Sequence, residues 1–185
     1  RRNDFYCTCY FAKQFAALRK AYCNGDVDFI HSLSRCMTWT PTGGKSKSTF
    51  TKTWDDRFVI KQISRVELLT FLETGPAYFD YMVNALFHEL PTVLCKIIGV
   101  YRIGYYQKGK LTKQDVIIMD NLFYDRKVDR TYDLKGSERN RYQKEMGAVL
   151  LDENLLKSMY AGSPPLITRQ LSKGILTTSI HNDTL

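Results

Sequence analysis

Apolar residues recur every three or four positions near the start of the chain. Phe11, Phe15 and Leu18 stand at i, i+4 and i+7 within residues 10–23, which predicts a helix with one buried face. Residues 26–35 predict a second, shorter helix opened by Asp26 or Asp28 as its cap. The pattern then changes period. Ser48-Thr49-Phe50-Thr51 and residues 57–63 (RFVIKQI) are β-branched and aromatic and flank an Asp55-Asp56 turn, so they predict a hairpin. Residues 65–73 return to helical composition. Gly75-Pro76 predicts a break, with a further helix over 76–86 that carries its proline in the first turn. Residues 93–106 predict strands with a glycine kink, residues 107–110 a turn, and residues 115–120 a buried strand leading into Asn121-Leu122-Phe123. Residues 125–148 are charged and turn-rich. Helices return at 152–160 and 166–180, separated by Ser163-Pro164-Pro165. This order predicts an α+β fold, an antiparallel sheet with helices on one side.

Composition adds a partner class. The 185 residues are 44% hydrophobic and 13% aromatic, enough to fill a core and to exclude a disordered chain. Net charge is +8 and the isoelectric point about 9.2, which favours a polyanion: nucleic acid, ATP or an anionic membrane surface. Cys7, Cys9, Cys23, Cys36 and Cys95 are odd in number and contain no CxxC pair, which argues for reduced thiols in a cytosolic compartment rather than a disulfide frame or zinc ribbon. His31, His88 and His181 are scattered, without metal-ligand spacing. No apolar run is long enough to span a bilayer. No signal peptide is visible, and Arg1 marks the sequence as a piece of something longer.

The first stretch with candidate chemistry is Gly43, Gly44, Lys45 and Ser46. A P-loop needs a glycine where Trp39 stands and a helix directly after its lysine. Here a strand follows instead. A glycine-rich turn before a strand, with Lys61 inside the next strand, is the protein-kinase arrangement, in which the loop covers the ATP phosphates and the lysine grips them. A flexible hairpin with a snorkelling lysine is the competing reading of the same stretch.

The later segment YDLKGSERNRY, residues 132–142, resembles the signature of the phosphatidylinositol phosphate kinases. DDRFVIKQI, GPAYFDYM, PTVLCKIIGVYRI, DVIIMDNLF, VLLDENLL and SIHNDTL agree with that family in order. The pairing of SLSRCMTWTPTGGKS with LLDENLL is similar to the branch of FYVE-finger-containing phosphatidylinositol 3-phosphate 5-kinases (the PIKfyve type). The resemblance covers nearly the whole chain. It implies a kinase-like fold whose residues 1–40 are a helical N-terminal extension. Residues 41–124 would then be the nucleotide-binding lobe, and residues 125–185 the signature loop with an incomplete second lobe. It also implies ATP and Mg²⁺ as cofactors and phosphatidylinositol 3-phosphate in membranes as substrate. The product would be phosphatidylinositol 3,5-bisphosphate. The site would lie on the cytosolic face of endosomal or vacuolar membranes, in a complex with a helical-repeat scaffold protein and a Sac-type phosphoinositide phosphatase.

Site roles follow from the resemblance, position by position. Gly43, Gly44, Lys45 and Ser46 cover the nucleotide, with Lys45 and Lys47 also open to lipid headgroups or to a purely solubilising role. Lys61 is the ATP lysine, a point charge that bridges phosphate oxygens. Glu67 or Glu73 is its acidic partner. Met119, Asn121 and Leu122 line the adenine. Asp133, Lys135 and Gly136 form the signature loop. Arg139 and Arg141 stand two apart, so an extended segment faces both the same way, and two guanidinium forks suit an inositol phosphomonoester.

The family's catalytic aspartate, in an MDYSLL-like run, and its IID-type magnesium aspartate do not occur in these residues. Both are expected beyond Leu185, so residues 1–185 alone are expected to be inactive, and Asp183 stands ahead of the place where the family puts its catalytic carboxylate. Two rival functions remain. One is a nucleotide- or phosphoinositide-binding domain without turnover. The other is a basic single-strand nucleic-acid binder stacking bases on the tyrosines of 101–113, which leaves DLKGS and FVIK without a purpose. Lys135, Arg139 and Arg141 can also be read as solvated charges paired with Asp133 and Glu138.

Overall fold

A strand that the periodicity does not announce opens the fold. A computed structural model describes residues 5–40, 48–107, 109–137, 139–144, 149–162 and 169–184. Gly43, Gly44, Lys45, Ser46, Lys47, Glu138 and the expected break at 163–165 lie outside the described residues. The chain divides into two compact units. In described residues, the first comprises 5–40, 48–89 and 94–124, and the second comprises 90–93 together with the part from 125 onward.

The first unit contains β1 (Phe5–Tyr10), α1 (Ala12–Tyr22), α2 (Asp26–Leu33), β2 (Cys36–Trp39), β3 (Phe50–Thr53), β4 (Phe58–Ile63), α3 (Arg65–Phe87), β5 (Ile97–Gln107) and β6 (Lys110–Asp120). The strands form one antiparallel six-stranded sheet in the order β1-β5-β6-β4-β3-β2. Residues 5–40 therefore supply both edge strands as well as two helices. The edge position of β1 explains why alternation misses it: its residues are mostly exposed on both faces.

Helices cover both faces of this sheet, a correction to the one-sided layer expected from the sequence. On one face Phe15 and Leu18 of α1 and Leu68, Phe79 and Met82 of α3 pack with Ile63 and Val100, and Ile97 and Ile117 flank them. On the other, Phe29 of α2 and Cys23 pack with Phe58, Ile98 and Ile118. Alternation along β4 makes both cores: Phe58 and Ile60 serve one face, Ile63 the other.

The expected break at Gly75-Pro76 is also overturned, since α3 runs unbroken through Pro76. Proline removes one helical hydrogen bond, a cost that packing of the flanking aromatics offsets here. Phe11 lies against Gly75, where an added Cβ would come within 2.8 Å of its ring, and the ring also meets Phe71 and Phe79. Phe11 itself precedes α1 in a left-handed conformation, φ 49°, rather than sitting inside the helix. The glycine kink expected within 93–106 is a β-bulge between Ile97 and Gly99, and the strand starts only at Ile97.

The second unit holds β7 (Tyr132–Asp133) and β8 (Leu150–Leu151), paired in parallel, then α4 (Asp152–Tyr160) and α5 (Gln170–Thr184). The Asp183 carboxylate accepts from the Thr92 hydroxyl at 2.6 Å and the Val93 N–H at 2.8 Å, and the Asn182 amide donates to the Pro91 carbonyl at 3.0 Å. Asp183 thus pins the 90–93 segment to α5.

Candidate functional site

Lys61 stands on β4, and its neighbours follow from sheet register. It faces Ile117 across β6 and Phe50 across β3, while Val59 pairs with Met119. Cross-strand partners share a face, so Lys61, Phe50, Val59, Ile117 and Met119 form one patch: an ammonium beside an apolar floor. Directly after β4, Ser64 caps α3 in a reciprocal box: its hydroxyl accepts from the Glu67 N–H at 3.2 Å, and Glu67 accepts from the Ser64 N–H at 2.7 Å. The box leaves the other Glu67 oxygen aimed at Lys61 Nζ, 2.8 Å away. Glu67, and not Glu73, is therefore the lysine's partner; Glu73 stands six residues, less than two turns, further along α3.

Lys61 and Glu67 border a cavity of about 330 Å³ with Ile63, Val66, Thr70 and Ile117. A larger cavity, about 580 Å³, lies on the opposite sheet face, floored by Ile60, Tyr101, Val116 and Ile118. Size does not decide between them. The smaller one holds Lys61 and its carboxylate partner Glu67, whereas Arg19 at the larger is already bonded to Asp26 and to the Ile98 carbonyl.

The Lys61 ammonium, and then the Ser64 N–H, hold the Glu67 carboxyl down at about 2. A carboxyl lowered on folding contributes stability above its ordinary value of 4.5 and loses it as pH falls through about 2. Glu67 is partly exposed, so the effect is modest. Between those two pH values the melting temperature of wild type should fall about 1–3 °C more than that of Glu67→Gln, measured by circular dichroism. Parallel curves would remove the interaction.

At the end of β6, Asn121 is committed to holding the strand exit. Its N–H donates to the Arg57 carbonyl at 2.9 Å, its side-chain amide to the Asp56 carbonyl at 2.7 Å, and its side-chain oxygen accepts from the Phe123 N–H at 3.1 Å. Leu122 follows in a turn and is 58% exposed, available to a ligand's apolar surface.

In the second unit the signature residues gather around one carboxylate that the sequence pattern does not single out. Asp152, the first residue of α4 and buried, accepts the backbone N–H groups of Lys135 and Gly136, both at 2.9 Å, and Arg141 Nε at 2.8 Å. Arg141 also donates to the Asp133 carbonyl oxygen. The Lys135 ammonium rests on the Asp133 carboxylate at 3.0 Å and holds that carboxyl below its ordinary range. Arg139 is exposed. The spacing of Arg139 and Arg141 predicts two forks facing one way, but the guanidinium of Arg141 is drawn inward and only that of Arg139 lies on the surface. Asp152 escapes detection because its partners lie 16, 17 and 11 residues away, far outside any local motif.

Residues 32–185 match the profile of the family described as Phosphatidylinositol-4-phosphate 5-Kinase. The chain belongs to this kinase family. Among curated proteins, the chain is 46% identical over 185 residues to 1-phosphatidylinositol 3-phosphate 5-kinase FAB1 of Saccharomyces cerevisiae, a match covering 97% of this chain and 8% of that protein. It is 46% identical over 188 residues to the 1-phosphatidylinositol 3-phosphate 5-kinase of Homo sapiens, covering 97% of this chain and 9% of the relative. Against putative 1-phosphatidylinositol-3-phosphate 5-kinase FAB1C of Arabidopsis thaliana, identity is 45%, covering 97% of this chain and 11% of the relative. The chain thus spans about a tenth of the length of the kinases it matches. Among the described residues of this family member, no three His, Cys, Asp or Glu side chains come together as a metal site, and no helix is long and apolar enough to cross a membrane.

Proposed function

We propose that this chain is part of an ATP-dependent lipid kinase that converts phosphatidylinositol 3-phosphate to phosphatidylinositol 3,5-bisphosphate. The observation that carries the reading is the Lys61–Glu67 pair on an apolar-floored strand, inside a chain whose relatives are named for that activity. The residues fit a nucleotide. The patch of Phe50, Val59, Ile117 and Met119 suits a planar base, with Leu122 and the Asn121 turn at its border. Lys61 would hold the phosphates of ATP, and Glu67 keeps the ammonium in place. Gly43, Gly44, Lys45 and Ser46 belong to this reading as the cover over the nucleotide. ATP supplies the transferable phosphoryl group. Mg²⁺ accompanies it in this reading, although among the described residues no three His, Cys, Asp or Glu side chains come together to hold an ion.

Lys135 and Arg139 are the cations offered to the phosphate groups of the lipid, with Asp133 holding Lys135 until a phosphate displaces it. The net charge of +8 favours a peripheral position on an anionic bilayer, each nearby basic residue contributing about 1 kcal/mol. The family resemblance supports endosomal or vacuolar membranes as that surface. It also supports a complex with a helical-repeat scaffold and a Sac-type phosphatase.

The test is turnover by the full-length protein on vesicles carrying phosphatidylinositol 3-phosphate with labelled ATP. Label at the inositol 5-position is expected; no transfer, or label elsewhere on the ring, overturns the reading. Within that assay Arg139→Ala should raise the lipid KM by about tenfold and the ATP KM by less than about twofold, because one charge-assisted contact to the lipid is lost. Equal changes in both constants would return Arg139 to the general surface.

A further inference from the structure

We propose that Asp152 is a positioning residue for headgroup recognition: its carboxylate fastens the backbone of Lys135 and Gly136 and the guanidinium of Arg141, and so presents Lys135 and Arg139 to the lipid phosphates. The proposal rests on the lipid-kinase reading above.

The geometry is that of an anion-binding loop turned on an internal anion. Gly136 has φ 66°, and it and Lys135 direct successive N–H groups at a single Asp152 oxygen. Such a pair of amides forms a concavity that binds phosphate in other proteins. Here the protein's own carboxylate fills it, so the backbone of the signature loop is spent and recognition of phosphate falls to side chains. The second Asp152 oxygen takes Arg141 Nε, and Arg141 reaches on to the Asp133 carbonyl. Residues 133 and 141 are thereby tied at either end of the loop. Arg141 is a strut rather than a ligand, its side chain 15% exposed against 59% for Lys135. Asp152 is itself fixed. It starts α4, where the helix dipole favours negative charge, and the Asn154 side-chain oxygen accepts the Leu151 N–H at 3.0 Å. The Arg141 guanidinium and the two loop amides keep the Asp152 carboxyl well below the usual carboxylate range, so the anchor stays charged throughout physiological pH.

The experiment compares Asp152→Ala and Asp152→Asn with wild type in the full-length protein, reading KM for lipid and for ATP, and amide hydrogen exchange of peptides across 133–141 and across 58–63. Asparagine keeps an oxygen for the two loop amides and removes only the charge facing Arg141. The alanine variant should raise the lipid KM by about tenfold or more with the ATP KM within about twofold, and the asparagine variant should fall between it and wild type. Exchange should rise across 133–141 and stay constant across 58–63. Faster loop exchange with an unchanged lipid KM would overturn the role, as would exchange rising throughout with both constants moving together. If neither variant folds, Asp152 is a folding residue and the assignment falls. If wild type transfers nothing to phosphatidylinositol 3-phosphate, the kinase reading fails instead. Sedimentation with phosphatidylcholine vesicles containing that lipid then decides: weaker binding by the variants keeps the positioning role, and unchanged binding ends it.

Discussion

Lys61→Met in the full-length protein should lower lipid phosphorylation by about 10²–10³-fold while the protein stays folded. Phosphoryl transfer leaves little covalent work to the protein, so a fixed positive charge at the phosphates carries much of the rate. Methionine keeps the length and the apolar stem and removes only that charge. The fold should tolerate the change. The backbone of β4 is held by ladders to β3 and β6, and Glu67 keeps its bond to the Ser64 N–H. The lost ion pair is partly exposed and contributes less than about 1 kcal/mol. Glu67→Gln should cost less activity than Lys61→Met, because it loosens the lysine without deleting it. Labelled-phosphate transfer to vesicles measures both. Activity like wild type in Lys61→Met would withdraw Lys61 from the ATP site, and an equal loss in both variants would make the pair one functional unit.

The parts of this site that the sequence discloses are those built from neighbours along the chain. FVIK gives a strand lysine, and Ser64 with Glu67 is a capping box three residues wide that begins where the strand stops. The sequence reading leaves Glu67 and Glu73 open; the capping box and the Lys61 contact in the structure select Glu67. What stayed hidden depends on residues far apart. β1 is an edge strand with little burial to impose alternation, and β7 and β8 are two residues long, below any detectable period. Gly75-Pro76 reads as a break by propensity and is overridden by the aromatic packing around Phe11, Phe71 and Phe79. Arg139 and Arg141 look equivalent in an extended segment. They part company because Asp152, eleven residues beyond Arg141, claims only one of them.

Arg19 is the same kind of hidden residue in the first unit, and its replacement should give the largest loss of stability among the polar positions discussed. It follows Leu18 on α1 and reads as an ordinary helix-surface charge, yet it is 8% exposed. Ile98 is the extra residue of the β5 bulge, the one left out of the β5–β6 register. Arg19 Nη1 donates to the Ile98 carbonyl at 3.0 Å, while Nε donates to Asp26 at 2.6 Å and the guanidinium lies 4.9 Å over the Phe29 ring. One side chain thus joins α1, α2 and the bulge. The bulge sets the register of β5 against β6, the strand that carries Ile117 and Met119 beside Lys61. Arg19→Met keeps the apolar stem but removes the buried donor to the Ile98 carbonyl and the cation over Phe29, a cost of about 2–4 kcal/mol. For a chain of this size the melting temperature should fall by about 5–15 °C. Asp26→Ala should cost less than about 1 kcal/mol, since the Asp26 carboxylate is half exposed and Arg19 keeps its other contacts. Thermal unfolding of the two variants side by side checks this. Equal shifts would place the energy in the ion pair, and a shift below about 2 °C for Arg19→Met would mean that the bulge holds its register without the arginine.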